Sequence, residues 1–184
     1  MTSRFSLLVL VVAACSSSSP QRMPEQHRGD TSQACSPSGP GEPGPDEPGC
    51  HADADCKDGK NGRCHRVGNP HAGYRNQCGY DSCLADSDCA GGGTCECTGA
   101  GNYCLPGNCR RDADCADSHA CSPTPSCPDL SGGNRGSTEG YYCHTSADTC
   151  VDDHDCRAKG DGFRCTYSGH VGHWACTKPM CPMG

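Results

Sequence analysis

Four stretches of this 184-residue chain carry the same set of thiols and carboxylates. They are Cys50/Cys56 in "CHADADC", Cys83/Cys89 in "CLADSDC", Cys109/Cys115 in "CRRDADC" and Cys150/Cys156 in "CVDDHDC". Asp sits three residues after each first cysteine and again just before each second one. This gives the pairs Asp53/Asp55, Asp86/Asp88, Asp112/Asp114 and Asp153/Asp155. Carboxylates so spaced can donate oxygens to calcium, with backbone carbonyls completing a shell of roughly six to eight ligands. They can equally accept backbone N–H groups and hold tight turns. An EF-hand loop needs a further Asp or Asn, a fixed Gly and a distal Glu, and "DADCKDGKNG" departs from that pattern at Lys57.

The thiols admit three chemistries. "CEC" at Cys95 to Cys97 has the look of a thiolate metal site, but strong zinc signatures are paired Cys-x2-Cys, which the chain lacks. "HVGH", His170 to His173, offers two imidazoles on a turn with no third ligand at a telling spacing. Thiol redox catalysis would call for Cys-x-x-Cys near a βαβ pattern. A serine hydrolase would call for a nucleophile setting such as G-x-S-x-G. Neither occurs. The expectation is no enzyme, no cofactor and no metal, with the cysteines forming a covalent framework.

Composition supports that framework. After the first 14 residues the chain has three Leu, three Val, one Phe and no Ile. Burying a Leu or Phe side chain contributes only ~1.5–3 kcal/mol, too little from so few residues to order more than a hundred. Cysteine is plentiful, at 21 residues, and disulfides are the usual staple of such chains.

The start of the chain, "MTSRFSLLVLVVAAC", has the layout of a secretory signal: Arg4, an apolar run, then small residues. The run is shorter than the ~20 apolar residues of a membrane-spanning helix. "VAAC", Val12 to Cys15, resembles a bacterial lipobox. The resemblance implies removal of residues 1–14 and lipidation of Cys15, including a palmitate-type acyl group. Ser16 after it, by similarity to Gram-negative lipoproteins, implies sorting to the outer membrane. Twenty cysteines then remain, an even number in an oxidising, extracytoplasmic setting.

Residues 15–49 read as the lipidated Cys15 followed by a disordered Ser/Pro/Gly tether, "SSSSP" and "SPSGPGEPGPDEPG". As a coil it would span ~30 Å, and as extended polyproline ~100 Å. It contains "RGD", Arg28 to Asp30, three common residues that meet often by chance. Four repeats follow at 50–82, 83–108, 109–149 and 150–184. Each adds a third cysteine (Cys64, Cys95, Cys121, Cys165) and, after a Gly-plus-aromatic stretch, a fourth (Cys78, Cys104, Cys143, Cys176). The residues around these cysteines are of strand type. The expected fold is small and disulfide-rich: tandem cysteine-stapled repeats with short β-hairpins, irregular loops and little helix, the aromatic beside the fourth cysteine covering a disulfide.

The repeated pattern resembles the tandem cysteine-rich lipoproteins of myxobacteria and the N-terminal cysteine-rich domain of Dickkopf proteins. A fainter similarity is to whey-acidic-protein inhibitor domains, whose adjacent Cys-Cys this chain lacks. What the first resemblance implies is a lipid-anchored surface module. It would sit in the cell envelope and contact an extracellular protein or cell-wall partner. The alternatives are a secreted-type protease inhibitor, presenting Arg135 in "SPTPSCPDLSGGNRG", and a calcium-binding surface module. The net charge of −7 disfavours nucleic acid and anionic lipid surfaces as partners.

Cysteine bookkeeping suggests a wiring. If every repeat closed on itself, first to third and second to fourth, then Cys35, Cys97, Cys127 and Cys181 would have to pair among themselves, joining opposite chain ends. A linked scheme avoids this. Second would bond fourth, and third would bond the next unit's first: Cys64–Cys83, Cys95–Cys109, Cys121–Cys150 and Cys165–Cys181. Cys35 would then take Cys50, leaving Cys97 and Cys127 for each other or for a local swap.

Overall fold

Each cysteine unit is one tight turn followed by one hairpin. The computed structural model describes residues 22–116, 119–125 and 138–178. The Asp pairs sit in 3-10 turns at Asp53–Asp55, Asp86–Asp88 and Asp112–Asp114. The fourth unit has a short helix α1, Asp153–Cys156, followed by a 3-10 turn at Arg157–Lys159. The hairpins are β1 (Arg63–Asn69) with β2 (Gly73–Gly79) and β3 (Thr94–Glu96) with β4 (Tyr103–Leu105). They continue with β5 (Cys121–Pro125) and β6 (Thr138–Cys143), then β7 (Arg164–Ser168) and β8 (His173–Thr177). Each is a separate antiparallel pair, so the fold is small, disulfide-rich and poor in helix. No helix among the described residues is long and apolar enough to cross a membrane.

Hairpin register explains the covalent wiring. The third and fourth cysteines face each other in every ladder: Cys64 and Cys78, Cys95 and Cys104, Cys121 and Cys143, Cys165 and Cys176. The first and second cysteines flank the turn. Two bridges therefore run side by side from turn to hairpin. Second bonds fourth as expected, in Cys56–Cys78, Cys89–Cys104, Cys115–Cys143 and Cys156–Cys176. The expected links between units are corrected. First bonds third, in Cys50–Cys64, Cys83–Cys95, Cys109–Cys121 and Cys150–Cys165. Third and fourth are already neighbours on the ladder, so the turn that delivers the second cysteine to the fourth also delivers the first to the third. The loops closed span 12 to 28 residues. In the chain-entropy picture each such bridge contributes ~3 kcal/mol. Buried sulfurs make up most of the small apolar clusters, one per unit in units 2, 3 and 4.

Cys35 bonds Cys97, not Cys50, which also removes the expected Cys97–Cys127 pair. Cys127, Cys181, Cys15 and Arg135 lie outside the described residues.

The tether is corrected too. Residues 22–49 form a strap laid back along the units in reverse order. Arg22 reaches Asp155 of unit 4 at 2.7 Å. Arg28 and Gly29 exchange backbone hydrogen bonds with Cys121 and Asp112 of unit 3, at 2.9 and 2.7 Å. Ala34 bridges Ala85, and the Cys35 N–H donates to Leu84 O at 2.7 Å in unit 2. The Asn76 side chain in unit 1 accepts the Gly44 N–H at 2.7 Å and donates back to Gly44 O at 2.9 Å. Backbone groups, not apolar side chains, do most of this pairing, so a Pro/Gly-rich segment suffices. Gly41 is required for close approach: a Cβ there would overlap the Cys64 carbonyl oxygen.

Candidate functional site

The eight expected carboxylates divide into two roles by position. The second Asp of each pair reaches back four and three residues to accept two N–H groups. Asp55 takes those of His51 and Ala52 at 2.7 and 3.0 Å, and Asp88 those of Leu84 and Ala85 at 2.8 and 3.0 Å. Asp114 takes Arg110 and Arg111 at 2.9 and 3.2 Å, and Asp155 takes Val151 and Asp152 at 2.7 and 3.4 Å. These N–H groups open the turn and have no partner within it. For Asp55 and Asp88 these backbone bonds are the leading influence, and they hold both carboxyls below the usual carboxylate range.

The first Asp of each pair accepts the N–H of its unit's third cysteine. The distance is 2.9 Å in all four units, from Asp53 to Cys64, Asp86 to Cys95, Asp112 to Cys121 and Asp153 to Cys165. One carboxylate thus fastens turn to hairpin beside the first-to-third bridge. In units 1 to 3 it also holds the strap. Asp53 accepts the Gly41 N–H at 3.2 Å. Asp86 accepts the Gln33 N–H at 2.9 Å and the Arg28 guanidinium at 2.8 Å. Asp112 lies 2.6 Å from His27 Nδ1. In unit 4 the outer oxygen of Asp153 faces Arg164 of its own unit at 3.3 Å.

These carboxylates are therefore engaged with N–H donors, which is turn-holding chemistry. Among the described residues, the groups of three or more ligand atoms that converge are all cysteine sulfurs, such as Cys50, Cys56 and Cys78, which belong to adjacent disulfides. The thiolate-site look of "CEC" has the same origin: Cys95 bonds Cys83, and Cys97 bonds Cys35. His170 and His173 lie at the β7–β8 turn, with His173 Nδ1 3.2 Å from Val171 O. The Arg side chain of "RGD" is buried: that of Arg28 is 7% exposed, pairs with Asp86 and lies over the Tyr141 ring. That side chain is not presented to a receptor.

Two features were not singled out from the sequence. Asp81 is buried where the strap and units 1 and 2 meet, and accepts from Ser38, Asn61 and the Asn102 N–H. Burial raises its pKa, but these hydrogen bonds outweigh it and hold the carboxyl at about 2. The residue before "SC" in "YDSC" carries no local signal of this role. The second is an open polar cavity of about 770 Å³ between strap and unit 3, lined by residues that include Glu25, His27, Thr31, Gln33, Pro123 and Tyr141. It arises only because the strap is docked.

The expected aromatic cover over disulfides appears in two units. Trp174 packs with the cysteines of unit 4, and Tyr141 with those of unit 3. Tyr103 is 41% exposed, and Tyr74 lies under the Arg66 guanidinium. No protein-family model, curated protein or solved structure matches this chain.

Proposed function

We propose that the chain is a non-enzymatic, extracytoplasmic binding or structural module of the cell envelope, anchored to the outer membrane through lipid on Cys15, with an extracellular protein or a cell-wall component as partner. The observation that carries this reading is the strap itself. Units 1 to 3 hold one extended segment by the same device, a first-Asp carboxylate with backbone hydrogen bonds beside it, and main-chain pairing of this kind is also what captures extended peptides in β-strand addition. The disulfides support an oxidising, extracytoplasmic compartment. The anchor follows from the lipobox resemblance of Val12 to Cys15.

The docked strap changes what such an anchor would do. With residues 22–49 folded onto the units, only residues 16–21 separate Cys15 from Arg22, and that stretch extends at most about 25 Å. Unit 4, where Arg22 sits, would be held close to the membrane. Metabolic palmitate labelling of the parent and of Cys15→Ala tests the anchor: the label disappears in the variant. A label that persists rejects lipidation at Cys15. A pull-down from envelope fractions with the oxidised ectodomain tests the binding role. Retention of a component that binds the oxidised chain and not the reduced one supports it.

A further inference from the structure

The nine described disulfides are not equivalent. In each of the eight bridges within units, at least one cysteine is buried. Among the described bridges Cys35–Cys97 alone has no buried cysteine: Cys35 is half-buried and Cys97 is exposed. It is also the one described bridge that ties the strap to a unit, and it closes a separation of 62 residues. The side-chain amide of Gln33 lies 3.0 Å from Cys97 Sγ, an N–H donor aimed at that sulfur. Cys35 Sγ lies 3.6 Å from Cys95 Sγ, a member of the neighbouring Cys83–Cys95 bridge. Thiol–disulfide exchange needs access to one sulfur and is favoured by a stabilised thiolate. Exposed Cys97 supplies the access, and the Gln33 amide is placed to stabilise Cys97 when it is expelled in the second step.

We propose that Cys35–Cys97 is a thiol-exchange site, entered at Cys97 by a dithiol reductant, whose opening ends the covalent attachment of the strap. A thiolate of the reductant attacks Cys97 Sγ. The Cys35–Cys97 bond breaks, its electron pair leaves on Cys35, and a mixed disulfide forms on Cys97. The reductant's second thiolate then attacks its own sulfur in that mixed disulfide and expels the Cys97 thiolate beside the Gln33 amide. The reductant is oxidised to its disulfide, and both cysteines take up protons. While the mixed disulfide lasts, the Cys35 thiolate faces Cys95 Sγ. Attack there forms Cys35–Cys95 and leaves the electron pair on Cys83. The exchange depends on neither the lipid anchor nor the binding role.

The test treats the oxidised full chain with one equivalent of dithiothreitol, quenches with N-ethylmaleimide, and maps labels absent from an unreduced control. The expected first labels are on Cys97 together with Cys35 or Cys83, while the bridges of units 1, 3 and 4 stay closed. A Cys35→Ser/Cys97→Ser double variant, which keeps the eight unit bridges, should take up its first label at least 10-fold more slowly. First labels on Cys89 and Cys104, the other described bridge with an exposed cysteine, would overturn the proposal. So would labels spread evenly over the units, or a double variant reduced as fast as the parent.

Discussion

Units 2 and 4 share one motif and complete it differently. In unit 2 the first Asp, Asp86, is 2% exposed, and its outer oxygen is filled by the strap through Arg28 and Gln33. The sulfur cluster of that unit, Cys83, Cys89 and Cys95, is covered by Cys35, again from the strap. In unit 4 the side chain of Asp153 is 49% exposed and, among the described residues, pairs with its own unit's Arg164 and Cys165. The cluster there is closed by aromatics instead: Trp174, with Tyr142, Phe163 and Tyr167 packed against it. Tyr142 stacks on Tyr167 at 3.8 Å and His144 on Trp174 at 4.5 Å, binding unit 3 to unit 4. A cysteine-stapled turn and hairpin thus needs one more element to exclude water, and either a borrowed segment or a local aromatic can supply it.

The contrast is broken most sharply at Arg28. Its removal leaves the Asp86 carboxylate buried without its cation, a loss of about 3–5 kcal/mol for pairs of this kind. Arg28→Ala should lower the denaturation midpoint accordingly and raise hydrogen exchange at the Gln33 and Cys35 amides. Trp174 is the only tryptophan in the chain, and its fluorescence should stay native in this variant until global unfolding. Early loss of that signal would mean that unit 4 also leans on the strap.

The reciprocal change is Trp174→Ala, expected to cost about 3–5 kcal/mol as a large core truncation. It also removes the indole N–H bond to Cys143 O. Hydrogen exchange should rise in units 3 and 4 and remain unchanged at Gln33 and Cys35. Equal loosening at both places would contradict separate completion of the two units.

Acid should separate the same regions. Burial lowers the pKa of His144 below the usual histidine value, and the hydrogen bond to Asp148 offsets this only in part. The folded chain therefore resists protonation there. The stability this gives is complete above about pH 6.5 and falls as pH drops from there through the lowered folded value. Asp81, held at about 2, gives stability that is complete above about pH 4 and lost as pH falls through about 2. Its contribution is on the order of 2 kcal/mol. Trp174 fluorescence should respond in the upper window and strap exchange near Ser38 in the lower one. His144→Gln should abolish the first response alone.

Much of the unit was legible in advance. The hairpins follow from strand-type residues around the third and fourth cysteines, whereas the spacing of the Asp pairs is compatible with calcium as well as with N–H donors and does not show that the first Asp reaches the third cysteine. The strap was hidden because its docking leaves no apolar period: "SPSGPGEPGPDEPG" reads as a linker, yet its N–H and C=O groups are what the units bind. The wiring is hidden for the same reason. A free strap gives Cys35 no route to Cys97, and closed units then force chain ends together. Once the strap lies along unit 2, closed units and Cys35–Cys97 are compatible.

The smallest effect concerns calcium. Because the carboxylates are occupied by N–H donors, excess chelator should leave the thermal midpoint unchanged. A site saturated at 100 times its dissociation constant would instead add ~2.7 kcal/mol on calcium addition.

The central claim, that residues 22–49 are part of the fold and are held by units 1 to 3, is tested most directly by a disulfide map of the unreduced chain from proteolytic peptides. The account predicts a Cys35–Cys97 peptide, with Cys50–Cys64 and Cys83–Cys95 closed within their units. Peptides joining Cys35 to Cys50 and Cys64 to Cys83 would contradict it.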